Sequence, residues 1–125
     1  MNAMPSLDVL VVDDESALRE QLRRLFLREG HRVVTVPDGR AAIDYATTDH
    51  FDIILLDVAL GGRPDGYEVC RTLRERRNVT PLIMLTALDS EADAVLGLEA
   101  GALVAVLALA TVAARRHARR RARAG

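Results

Sequence analysis

The chain has 125 residues, half of them apolar, which suits one domain with one hydrophobic core. A single cysteine, Cys70, excludes an internal disulfide, and the start shows no basic-apolar-small leader pattern, so a reducing compartment and no secretory signal are expected. The small net charge conceals an asymmetry: residues 1–110 carry all 18 acids and 11 arginines, a net −7, residues 111–125 carry six arginines and no acid, and lysine is absent throughout.

In chain order, "LDVLVV" at 7–12 reads as a buried strand, short, rich in valine and ended by Asp13 and Asp14. "ESALREQLRRLFLREG" follows, with Leu18, Leu22, Leu25 and Phe26 spaced to share one helix face and Gly30 as a glycine stop. "RVVTV" at 32–36 is a second strand, after which Asp38 is placed to cap a helix carrying Ala42, Ile43 and Ala46. "FDIILLD" at 51–57 is a near-continuous apolar run, the pattern of a strand buried on both faces of a parallel sheet. A "GGRPDG" loop leads to a helix that turns Val69, Cys70 and Leu73 inward, and "TPLIML" at 80–85 is a fourth strand. Asp89 or Ser90 is expected to cap a fourth helix containing Ala92, Val95 and Leu96, and a fifth strand near 103–107 and an arginine-rich helix would close the pattern. Strands alternating with helices over short loops imply parallel strands with right-handed crossovers, and no boundary divides 1–125.

Open sheets of this kind hold their sites beyond the carboxyl ends of the strands. The first strand ends in Asp13 and Asp14, the third in Asp57 and the fourth in Thr86. If the first and third strands are neighbours, three carboxylates meet, and their repulsion calls for a cation. A hard divalent ion with oxygen ligands, most simply Mg2+, relieves it and leaves room for a phosphoryl oxygen. A carboxylate oxygen of Asp57 could then attack a phosphoryl group, with the Thr86 hydroxyl and the backbone amides at Val58 and Ala87 holding its oxygens. The blander alternative for Asp13 and Asp14 is capping of the first helix.

At this point the chain resembles the response-regulator receiver domain of two-component signalling. The matching pieces are "VLVVDDE", "PDGRAAI", "FDIILLDVAL", "DGYEVCRTLR", "PLIMLTA" and "AVLGLEAGA", covering residues 7–102 in family order. The resemblance implies a flavodoxin-like (βα)5 three-layer α/β sandwich with parallel strand order 2-1-3-4-5. It implies Asp57 as phosphoacceptor, Asp13, Asp14, Asp57 and the Ala59 carbonyl as Mg2+ ligands, and Thr86 as switch hydroxyl. "TALDSEADAVLGLEAGA" is closest to the transcription-regulator branch whose partner domain is a winged helix. Residues 103–125 depart from the family: Ala108 stands at the usual lysine position, Leu109 at the proline and Ala105 at the switch aromatic. The loop after Asp57 is one residue longer than usual and has Gly61 and Gly62 in place of the common proline.

The expected function is that of a cytoplasmic phosphorelay receiver rather than an enzyme. It would take its phosphoryl group from a sensor histidine kinase and relay it as a conformational change, with a homodimer through the fourth- and fifth-helix face as a candidate assembly. The alternative is a degenerate receiver that binds partners without a phosphorylation switch. The uncharged stretch 100–114 is shorter than the roughly 20 residues a membrane helix needs, so a span is disfavoured. The arginines at 115, 116, 119, 120, 121 and 123 lack aromatic neighbours to stack bases, so direct nucleic-acid binding is disfavoured too. Cys70 reads as a core residue, and His31, His50 and His117 are too scattered for a metal site.

Overall fold

A computed structural model describes residues 5–86, 95–99 and 102–106 of the chain. The elements run β1 (Asp8–Val12), α1 (Ser16–Arg28), β2 (Arg32–Val36), α2 (Gly39–Thr48), β3 (Ile53–Asp57), α3 (Gly66–Glu75), β4 (Leu82–Thr86), β5 (Val95–Glu99) and β6 (Ala102–Val106). The strands form one sheet in the order β2-β1-β3-β4-β6-β5. All neighbours pair parallel except β5 and β6, which pair antiparallel. The expected α/β order therefore holds across β2, β1, β3 and β4, and the next parallel strand, β6, lies beside β4.

The central strands are apolar because helices cover the sheet on both sides. Leu10, Val12, Ile54, Leu56 and Met84 form one core cluster with Ala42 and Ala46 of α2 and Val69, Cys70 and Leu73 of α3. Val9 and Val11, on the alternate positions of β1, are buried outside that cluster. This two-residue alternation assigns them to the opposite face. Each aliphatic side chain so buried contributes about 1.5–3 kcal/mol.

Local signals end the helices where the sequence calls for it. Gly30 takes φ +89, its N–H donates to Leu27 and that of His31 to Phe26, a Schellman closure that uses the last carbonyls of α1. The Asp38 carboxylate accepts the Ala41 N–H at 2.8 Å and caps α2. Asp65 and Glu68 form a reciprocal capping box on α3, legible in the D-x-x-E spacing. On α1, Leu18 is buried and Leu22 and Phe26 are half-buried, but Leu25, expected on the inward face, is 47 % exposed. On the solvated face of that helix, hydrogen bonds from Arg23, aided by Arg24, hold the Glu20 carboxyl down at about 2.

One element differs in kind. Val95 and Leu96, expected in a fourth helix, belong to β5, paired with β6 in the register Val95↔Val106 to Glu99↔Ala102. The segment has glycine at its centre and valine and leucine around it, and Ala102–Val106 is wholly apolar. Both compositions serve a strand ladder, and only Ala100 and Gly101 separate them, the spacing of a tight hairpin. The rest of the proposed fourth helix and the arginine-rich helix lie outside the described residues. Among the described residues no helix is long and apolar enough to cross a membrane.

Candidate functional site

The parallel register Val12↔Leu56 sets the ends of β1 and β3 side by side, so the aspartates that follow or close those strands emerge at one edge. One carboxylate oxygen from each of Asp13, Asp14 and Asp57 lies within 4.8 Å of the others. Asp13 and Asp57 are only 2 % and 3 % exposed, whereas Asp14 faces solvent. Two recessed carboxylates and one at the mouth make a pocket open on one side.

Backbone groups fix each aspartate. The Asp13 N–H extends the sheet by donating to the Val36 carbonyl at 3.2 Å, and its Oδ1 accepts the Glu15 N–H at 2.9 Å. An Arg19 guanidinium nitrogen reaches the Asp13 carbonyl at 2.7 Å. Asp14 Oδ2 accepts the Gly61 N–H at 3.2 Å, which ties the loop after β1 to the loop after β3. The residue preceding α1 is Glu15, whose side chain makes no cap, so neither Asp13 nor Asp14 occupies the N-cap position of that helix.

Asp57 Oδ1 accepts the Ala59 N–H at 3.1 Å. The Val58 amide, expected to face the phosphoryl group, instead donates to the Leu85 carbonyl at 3.1 Å. It is the last rung between β3 and β4, so the sheet uses that donor. The amide beside the carboxylate is that of Ala59, two residues on, the reach of an aspartate turn. Gly66 completes the wall: a Cβ there would stand 2.6 Å from the Asp57 carbonyl and 2.8 Å from Val58 Cα. Only glycine lets α3 start this close to the end of β3.

Thr86 is the last residue of β4, next to Leu85, which pairs with Asp57. Ala105, at the usual aromatic position, lies in β6 opposite Leu85. Ala87 and Ala108 lie outside the described residues. Cys70 is buried in the core, which pushes its thiol above the ordinary range, as a structural cysteine requires.

The donor set suits a hard cation. All the donors are oxygens, and their 4.8 Å limit is close to the roughly 3–4 Å between oxygens sharing one Mg2+ at about 2.1 Å each. The family model for the response regulator receiver domain matches residues 9–107. The chain belongs to that family. Receiver domains are signalling modules of two-component systems, and this receiver has relatives in transcription control. It is 47% identical over 94 residues to the response regulator MprA of Mycolicibacterium vanbaalenii, covering 75% of this chain and 40% of that one. It is 47% identical over 94 residues to the alkaline phosphatase synthesis transcriptional regulatory protein PhoP of Bacillus subtilis, covering 75% of this chain and 39% of that one. The chain thus spans about two fifths of the length of the curated relatives it matches. Among solved structures it is similar to the response regulator TrrA of Thermotoga maritima, determined in complex with Mg(2+)-BeF. The identity is 31%, the TM-score is 0.60, and 64% of this chain and 69% of that one are covered.

Proposed function

We propose that this receiver accepts a phosphoryl group on Asp57 from the phosphohistidine of a sensor histidine kinase. An Asp57 carboxylate oxygen attacks phosphorus, the bond from phosphorus to the imidazole nitrogen breaks, and an acyl phosphate forms as the imidazole leaves and takes up a proton. Asp13, Asp14, Asp57 and the Ala59 carbonyl would hold Mg2+, which when bound neutralises charge on the carboxylates and the phosphoryl oxygens. The Ala59 amide and the Thr86 hydroxyl are the donors assigned to the phosphoryl oxygens. The observation that carries the reading is the carboxylate trio, gathered within 4.8 Å from residues 13, 14 and 57, with the phosphoacceptor recessed. The all-oxygen donor set and the Mg(2+)-BeF complex of the similar TrrA receiver support the choice of ion.

The output we infer is transcription control through a partner or a linked winged-helix domain, by analogy with PhoP. The dimer face expected from the fourth and fifth helices is not carried forward, because Val95–Glu99 is a strand and the fifth helix lies outside the described residues. With Ala108 at the lysine position, the phosphorylated state forgoes a charge-assisted contact worth about 1.5–3 kcal/mol. Phosphorylation is therefore expected to be chemically competent but short in conformational reach.

Intact-mass measurement tests this directly. With a small-molecule phosphodonor and Mg2+ the chain gains one phosphoryl group, and neither Asp57→Asn nor the parent in a chelator does. A parent that gains nothing under any of these conditions sinks the proposal and leaves a partner-binding receiver without a switch.

A further inference from the structure

We propose that Arg19 is a positioning residue of the acidic pocket, holding the peptide between Asp13 and Asp14 so that both carboxylates converge on one cation. The inference rests on the metal reading above.

β1 ends at Val12, so Asp13 is the first residue past the strand, and its N–H is spent on Val36. Its carbonyl takes the Arg19 guanidinium at 2.7 Å. Arg19 itself sits in the first turn of α1, its N–H donating to the Glu15 carbonyl at 3.0 Å, and it is half-buried. The peptide joining Asp13 to Asp14 is therefore gripped at its oxygen by a side chain from a rigid element. That peptide sets the directions in which the two Cβ atoms leave the backbone. Without the grip it can rotate as a unit and carry the exposed Asp14 away from Asp13 and Asp57.

Electrostatics points the same way. A bare carbonyl dipole beside three carboxylates adds negative potential, and the guanidinium offsets it. In a chain with no lysine, this arginine is a fixed positive charge anchored to the ligand loop itself. Groups that orient metal ligands typically carry about 10–100-fold in metal affinity.

Calorimetric titration of Mg2+ into the full chain tests the role, with the melting temperature of each variant measured in chelator. Arg19→Ala is expected to weaken Mg2+ binding about tenfold. Arg19→Lys, which keeps a cationic donor, should recover most of the loss. Arg23→Ala, on the solvated face of the same helix, should bind like the parent. Arg19→Gln replaces Arg19→Ala if the alanine variant does not fold. Equal affinity in parent and Arg19→Ala overturns the inference, as does an Arg19→Lys variant no better than alanine. A parent that binds no Mg2+ refutes the metal reading instead, which keeps the two failures apart.

Discussion

The sheet has two unlike ends, the half built around β1 and β3 and the β6–β5 edge. At β1 and β3 the chain is held by contacts that each have an identifiable donor or a steric reason: Asp13 to Val36, Asp14 to Gly61, Asp57 to Ala59, and Gly66 against the Asp57 carbonyl. At β6 and β5 the order rests on a backbone ladder, parallel on one side of β6 and antiparallel on the other. The first end keeps the receiver pattern residue by residue, and the second keeps only its parallel strand beside β4. The carboxylates can stay gathered while the β5–β6 segment differs in secondary structure from the receiver pattern, because none of the contacts just named comes from β5 or β6.

The largest expected effect lies at the pinned end. Gly66→Ala would push a methyl into the Asp57 carbonyl and Val58, costing about 1–3 kcal/mol and moving Asp57, the proposed phosphoacceptor. Thermal melting should show the loss, and intact-mass phosphorylation should fall with it. A variant with parental stability and phosphorylation would mean that α3 does not crowd β3, and the contrast between the two ends would weaken.

A smaller effect, of opposite sign, comes from the end of α3. Arg77 holds φ 61, a left-handed conformation that costs a residue with a side chain roughly 1–2 kcal/mol and that Gly30 supplies freely at the end of α1. Arg77→Gly should therefore raise stability by about 1 kcal/mol, read as a rise in melting temperature. Hydrogen exchange would sharpen the comparison: protection should rise in β3 and β4 and stay level in β5 if the two ends open separately.

The smallest effect distinguishes strand from helix at Gly97, which pairs with Val104. In a strand Gly97→Thr is more stable than Gly97→Ala, and in a helix the order reverses, each by less than about 1 kcal/mol. Denaturant midpoints of the two variants give the order, and alanine ahead of threonine would restore the helix expected from the family pattern.

Acid titration adds a control at the amino ends of β1 and β3, opposite the carboxyl ends that carry the aspartates. The Asp8 N–H, with His50 beside it, holds the Asp52 carboxyl below its usual value. Its stabilising effect is complete above the ordinary carboxylate range and fades as pH falls through the depressed value. Asp52→Asn should flatten the acid limb of a stability-pH curve below about pH 4 and leave neutral-pH phosphorylation unchanged.

Much of this was legible in the residues. The apolar runs of β1, β3 and β4, the Asp38 cap and the inward Val69, Cys70 and Leu73 follow from short-range pattern and burial. The trio Asp13, Asp14 and Asp57 was legible because each follows or closes a strand, but that the first and third strands are neighbours came from the family resemblance. Leu25 was misread because helical spacing gives a face but not what covers it. Val95 and Leu96 were misread because the same apolar residues satisfy a helix period or a strand ladder, and the choice depends on a partner strand.

The sequence by itself determined which residues are apolar, where the chain must turn, and which carboxylates follow which strands, since these are properties of neighbours along the backbone. Only the tertiary structure decided that Val58 spends its amide on Leu85 while Ala59 faces Asp57, that Arg19 reaches the Asp13 carbonyl, and that Val95–Glu99 pairs with β6. Each of those outcomes is a competition among donors and acceptors far apart in sequence, settled by which partner the finished sheet brings within hydrogen-bonding distance.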